Sequence, residues 1–325
     1  MSSDYLGRLL GLSFAAFFLL HTALAALLLL AAPAALRRAA AMRPRAATRF
    51  LLFLRLSPAV AASLVVVALC IPSYLWFEPR GQQEEVGILC AVAAALGILQ
   101  WLPAVSRASA AAVRSLAFGR GLRRRGLSIR VPGQHSPVWI VDSASPLFAL
   151  SGVWRSALFL SRGVFHSLAP EELDAALRHE HAHRRSHDNL KRLALLAAPE
   201  LLPFSRRFAP LERAWLRFSE WAADDEAAAG DPARALSLAS ALVRVARLGT
   251  SAPPPLAASL TECGCGLEVR VARLLQADSA LPFDPAGPLW PRRGQYLLAG
   301  ALAAFLLLLP GALAAVHGLL EKLVR

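Results

Sequence analysis

Residues 178–188 read Arg178-His179-Glu180-His181-Ala182-His183-Arg184-Arg185-Ser186-His187-Asp188, a polar stretch inside a very apolar chain, and they contain H-E-x-x-H. In a helix His179 and His183 lie one turn apart on the same face, so both imidazoles can point at one zinc ion. Glu180 then sits beside the metal, where a carboxylate can take a proton from water at the zinc. Any two histidines four apart around a glutamate satisfy this pattern, so its weight depends on the rest of the chain.

Hydrophobic residues make up 56% of the 325 residues and the mean hydropathy is +0.47, too apolar for a soluble protein. The net charge of +13 is compatible with a nucleic-acid partner or with an anionic membrane surface. The placement of the arginines decides between them. Five fall between Arg37 and Arg49 and seven between Arg107 and Arg130, directly beside apolar segments. That is the charge pattern of membrane topology, and no direct nucleic-acid partner is expected. The four cysteines form no disulfide framework: Cys70 and Cys90 lie in apolar runs, and Cys263 and Cys265 are too close to bridge easily. Cys263-Gly264-Cys265 reads as a turn rather than half a metal site, since no second Cys or His pair follows it.

Residues 9–32 form an apolar run long enough to span a bilayer. A cleaved signal peptide competes with that reading, but the run exceeds the usual ~7–15 residue apolar core and no strongly basic segment precedes it. The arginine-rich loop 37–49 is then cytoplasmic and the N-terminus outside. Residues 56–77 and 86–105 complete three spans within residues 1–105. Residues 106–294, about 190 residues without a convincing span, form a cytoplasmic domain of ordinary size. Trp290, Arg292 and Arg293 precede a fourth span at 296–320, kinked at Pro310, which ends outside.

Within the domain, residues 128–131, 137–141, 147–150 and 157–161 have strand character and are separated by Gly, Pro and Ser, which suggests a small sheet. Pro170-Glu171-Glu172 opens a helix that carries residues 179–188, with Leu173, Leu177, Leu190 and Leu193 on its packing side and Pro199 and Pro203 limiting its length. Residues 211–229 form a second helix, Asp231 caps a third over 232–247, and a fourth surrounds residues 267–275. The predicted class is mainly α, a four-span membrane protein with an α+β domain.

Zinc needs a third protein ligand, and a catalytic site leaves the fourth position to water. Glu220-Trp221-Ala222-Ala223-Asp224 supplies one: Glu220 and Asp224 share a helical face, so Glu220 can reach the metal while Asp224 holds a ligand histidine. H-E-x-x-H followed by E-x-x-A-D on another helix resembles the gluzincin metallopeptidases. The finer resemblance is to the BlaR/MecR-type membrane metallopeptidases, carried by Ser145-Pro146, residues 157–161, Leu168-Ala169-Pro170-Glu171-Glu172-Leu173, residues 179–189 and 220–226, and by three spans before the domain and one after. Membrane-bound quality-control proteases of the HtpX type usually place two spans on each side and fit less well.

The resemblance implies one Zn2+ per chain on His179, His183 and Glu220, with Glu180 as general base, in a zinc metalloendopeptidase of the bacterial inner membrane. Its protein substrate would be a BlaI-type repressor or the chain itself, cut in signal transduction. A non-proteolytic zinc scaffold is the alternative from another class. The chain as read ends at Arg325 without the large extracellular penicillin-binding domain of the beta-lactam sensors, so sensing by that route is not expected. His187 is a candidate stabiliser of the oxyanion, with a solvated polar residue as the competing reading. His181 is expected to be exposed, and Asp188 to orient an arginine or the helix end. Tyr5, Tyr74 and Tyr296 lie outside the domain proper, so no tyrosine serves as the oxyanion donor. Residues 157–161 are expected to form an edge strand on which a substrate peptide could add.

Overall fold

The computed structural model describes residues 3–78, 87–129, 137–143, 145–153, 156–202, 204–249, 256–259, 266–276, 311 and 313–320. Among these, three helical stretches are long and apolar enough to cross a membrane: Asp4–Ala40, Pro44–Phe77 and Ile88–Arg125. They comprise α1 (Ser3–Ala40), α2 (Pro44–Val65) with a π turn (Val66–Cys70) leading into α3 (Ile71–Phe77), and α4 (Ile88–Arg125). The first two contain the predicted spans 9–32 and 56–77, and the third covers the predicted span 86–105 from Ile88 onward. The predicted fourth span lies mostly outside the described residues, as do Cys263, Cys265, Trp290, Arg292, Arg293 and Pro310. Residues 313–320 are helical, and Ser73 Oγ donates to Leu313 O over 3.0 Å.

The helices run well beyond the apolar segments that announced them. At about 1.5 Å per residue, 37 or 38 residues extend some 55 Å, against about 30 Å of hydrocarbon. The predicted loop 37–49 shrinks to residues 41–43, because α1 continues to Ala40 and Pro44 opens α2 at a first-turn position where its missing N–H costs nothing. The arginines from Arg107 to Arg125 likewise ride on α4, whose Ala, Leu and Arg content favours helix. Close contact of α1 with α4 depends on Gly97, where a Cβ would overlap Phe14 O.

β1 (Gly126–Ile129) starts two residues ahead of the predicted 128–131, of which 130 and 131 lie outside the described residues. β2 (Val138–Val141), β3 (Phe148–Ser151) and β4 (Ala157–Ser161) fall within a residue of their predicted runs, and β5 (Ala257–Ser259) joins them. The order is β1-β2-β4-β3-β5, with β2 and β4 parallel and the other pairs antiparallel. This overturns the edge-strand expectation for 157–161. β4 is central, bonded on both sides and buried along its whole length, because the sequence-distant β2 takes one flank and β3 the other. No peptide can add to it.

The remaining helices are α5 (Arg162–Ser167), α6 (Pro170–Arg185), α7 (Asp188–Ala197), α8 (Ala209–Ala228), α9 (Pro232–Arg247) and α10 (Leu267–Leu275). One sheet face presents Phe148, Leu150, Leu158 and Leu160 to α6, α9 and α10. The other presents Ala149, Ala157 and Phe159 to Phe118 and Leu122 on the distal end of α4. A third core joins membrane helices to domain helices: Ala25, Leu28 and Leu51 pack with Leu195, Leu211, Trp215 and Phe218. α2 and α8 run antiparallel there, since Arg55 meets Glu212 and Arg45 meets Glu226. The sheet and the helices around it therefore share their interior with the long apolar helices on two sides.

Candidate metal centre

α6 starts at Pro170, with Ala169 N–H held by Glu172 Oε2 at 2.9 Å, and buries Ala175, Ala176, Ala182 and Leu177 under the sheet. The period of 3.6 residues then turns His179 and His183 toward α8, where the same period aligns Glu220 with Asp224. All four side chains are buried. His179 Nε2 and His183 Nε2 lie 3.1 Å apart, and the Glu220 carboxylate lies 3.6 Å from the first and 3.4 Å from the second. A tetrahedral ion with ligand bonds of about 2.1 Å needs donors about 3.4 Å apart. The spacing matches, and the three residues can hold a metal ion.

Both histidines are oriented from behind. His179 Nδ1 lies 3.0 Å from Asp224 Oδ1, as the sequence suggested. His183 Nδ1 lies 2.7 Å from Asp188 Oδ2, which it did not. The hydrogen-bonded carboxylate on His183 Nδ1 fixes the tautomer that leaves Nε2 free to ligate, and the Asp224 carboxylate stands on the same side of His179. Asp188 reaches His183 because the predicted continuous helix breaks: α6 ends at Arg185, and His187 takes a left-handed conformation with φ of 55° before α7 begins. Asn189 secures the break by donating to Leu150 O (3.1 Å) and Gly152 O (2.9 Å) on and just after β3.

The same break removes His187 from the ligand face. It is exposed at the turn and does not join the cluster, because helical spacing no longer applies past Ser186. His181 is exposed as expected.

Two buried arginines complete the centre. Arg270 on α10 clamps Asp224 through Nη2 (2.7 Å) and Nε (2.9 Å), and its Nη1 lies 3.1 Å from Glu220 Oε2. Arg192 on α7 places Nη2 3.6 Å from Glu220 Oε1. Neither was singled out from sequence. The signal for Arg270 was an arginine on the apolar stripe Leu267, Arg270, Val271, Leu274, where a charge is out of place unless it has buried partners. The clamp holds Asp224 well below the usual carboxylate range: burial pulls its pKa upward, but Arg270 and His179 outweigh that. His183 is pushed up to about 10, since the carboxylates of Glu220 and Asp188 override the downward pull of burial. A field that favours a proton so strongly equally favours a divalent cation in its place.

Glu180 differs from the other acids. It is buried and, like Glu220, has no hydrogen-bonded carboxylate oxygen among the described residues. Burial pushes its pKa up to about 7 against the opposing pull of His179 and His183, whereas the same burial of Glu220 is outweighed by His183 and Arg270, which hold it low. It opens onto a pocket lined by Val138, Leu150, Leu158, Leu177 and Arg184. A carboxylate in that state beside a cation site is poised to accept and return a proton near neutral pH. No protein-family model matches the chain, and no curated protein matches it either.

Proposed function

We propose that the chain is an integral membrane zinc metalloendopeptidase of BlaR/MecR type. The supporting observation is the convergence of His179, His183 and Glu220 beside a buried Glu180 that lines a small apolar pocket and has no hydrogen-bond partner among the described residues. Zinc fits a donor set of two imidazoles and one carboxylate, and when bound it would polarise the attacking water and the scissile carbonyl. His179 and His183 would hold it through Nε2, and Glu220 through its carboxylate, while Asp224 and Asp188 keep the two imidazoles in register. Glu180 takes the proton from the attacking water and passes it to the leaving amine. The small pocket beside Glu180, walled by Val138, Leu150, Leu158 and Leu177, gives its carboxylate an apolar surrounding on one side.

The arginine distribution favours a cytoplasmic domain, a fourth span at 296–320 and residence in the bacterial inner membrane. A membrane-anchored peptidase on that side suits signal transduction through cleavage of a BlaI-type repressor or of the chain itself. Replacing Glu180 by Gln tests the reading. In nanodiscs, the wild type loaded with zinc should cleave members of a mixed peptide library, whereas Glu180→Gln should retain its metal and lose at least about 100-fold in rate. Equal rates for the two proteins would remove Glu180 from the chemistry and the peptidase with it. Cleavage of a small winged-helix repressor encoded beside the gene would fix the substrate.

A further inference from the structure

The connection between α7 and α8 exposes two large apolar side chains that nothing in the peptidase reading uses. Leu202 is 50% exposed and Phe204 is 79% exposed. Phe204 also sits at φ of 62°, a left-handed conformation that bulky residues rarely adopt. The chain thus holds an aromatic ring outward against both water and backbone preference.

The depth of this connection is set by side chains of the spanning helices. Gln100 on α4 donates to Leu201 O at 2.7 Å and lies 3.3 Å from Thr22 Oγ1 on α1. Arg55 on α2 is 2% exposed; it donates to Pro199 O and Ala198 O, each at 3.2 Å, and pairs with Glu212 at 3.0 Å and Glu200 at 3.4 Å. Its guanidinium also stands 4.5 Å over the Phe208 ring. Irregular backbone tolerates membrane depth only where protein groups satisfy its carbonyls, and these contacts do that. Around Gln100 and Thr22 the outward residues are Leu19 and Leu27 on α1 and Leu99 and Leu102 on α4, all exposed members of the apolar belt of the three long helices. Leu202 and Phe204 continue that belt. Two residues past Phe204 the chain changes character: Arg206 and Arg207 are exposed.

We propose that the connection, in its described residues 199–202 and 204–208, is re-entrant and inserts Leu202 and Phe204 into the acyl region of the leaflet on the domain's side, with Arg206 and Arg207 on its anionic headgroups. The occupant is lipid because the patch is continuous with the lipid-facing belt and bordered by charges complementary to phosphate. From Phe208 to Glu220, twelve residues of helix cover about 18 Å, so the loop holds the metal centre close to the bilayer surface. The proposal stands apart from the hydrolytic reading and survives its failure.

Spin labels in the full chain measure the depth. With the four native cysteines replaced by alanine, single labels are placed by Phe204→Cys, Leu202→Cys, Leu64→Cys as a mid-span reference and Leu127→Cys as a reference on the edge strand β1. Nanodiscs of phosphatidylcholine containing phosphatidylglycerol carry the protein. The labels at 202 and 204 should resemble the label at 64, with oxygen collisions exceeding those with a water-soluble nickel chelate several-fold. The label at 127 should show the reverse. Arg206→Glu with Arg207→Glu should make the label at 204 shallower only when phosphatidylglycerol is present. Nickel accessibility at 202 and 204 equal to that at 127 overturns the proposal. Shielding of both labels from oxygen and nickel alike also overturns it, because a protein partner or a second copy then covers the loop.

Discussion

His183 Nδ1 and Asp188 Oδ2 lie 2.7 Å apart across the break between α6 and α7. The pair mirrors His179 and Asp224, so each imidazole of the centre is backed by a carboxylate from a different helix. Burial pulls the Asp188 pKa upward, but His183 and, behind it, Lys191, whose Nζ donates to Asp188 Oδ1 at 2.8 Å, bring it below its ordinary value.

Loss of either carboxylate should loosen the metal without unfolding the chain. Asp188→Ala and Asp224→Ala are each expected to lower zinc affinity by about 10- to 100-fold. Competition titration against a fluorescent zinc chelator checks both. Unchanged affinity in both variants would show that the imidazoles are oriented by packing alone.

Metal binding should stabilise the fold that the three ligands tie together. At free zinc about 1,000-fold above Kd, the linkage contributes about 4 kcal/mol. A chelator should therefore lower the thermal midpoint in detergent, and added zinc should restore it. Glu220→Ala should abolish that response, because two imidazoles on one helix no longer bridge to α8.

Arg55 should be the most sensitive position at the junction of membrane helices and domain. Arg55→Ala strands Glu200, Glu212 and two backbone carbonyls in a buried setting, and a loss of about 3–5 kcal/mol is expected. Arg55→Lys should recover little, because an ammonium cannot serve four acceptors spread around a planar fork. The thermal midpoint of each variant in detergent measures this, and wild-type behaviour of Arg55→Ala would show that the junction does not depend on the cluster.

Acid should weaken the start of α6. Burial pulls the Glu172 pKa upward, but hydrogen bonds from Ser240 and Ala169 N–H, together with Arg244, bring it below its ordinary value. A pKa lowered on folding gives stability that is complete above the unfolded value of about 4.3 and is lost as pH falls through the folded value. Glu172→Gln should thus cost about 1 kcal/mol at neutral pH, with the gap to wild type closing as the pH drops below about 4. Denaturant titrations at two pH values read the difference directly, and a gap independent of pH would assign the cost to packing.

Local patterns carried much of this protein. Apolar runs located three helices long and apolar enough to cross a membrane, short runs of strand character between Gly, Pro and Ser located β2 to β4 and half of β1, and Pro, Asp and Gly punctuation placed α8 and α9 close to their observed limits. His179, His183, Glu220 and Asp224 were legible because each pair is spaced by one helical turn, and helical spacing is a property of the sequence. The long extensions of α1 and α4 were not, since positive-inside reasoning marks where the bilayer ends and says nothing about where a helix does.

What only the tertiary structure decided depends on contacts between residues distant in the chain. The strand order puts β4 in the middle, with β2 parallel on one side, a pairing that no alternation pattern encodes. Arg270 joins Asp224 from 46 positions away, and Arg55 joins Glu212 from 157. Asp188 and His187 exchange roles through a single residue at positive φ, where helical periodicity stops and the chain turns an aspartate inward and a histidine out. Sequence alone determined the chemistry of the ligands and their spacing along each helix. Only the packing of helix against helix decided which charges stand behind them, because buried charges choose partners by proximity in space.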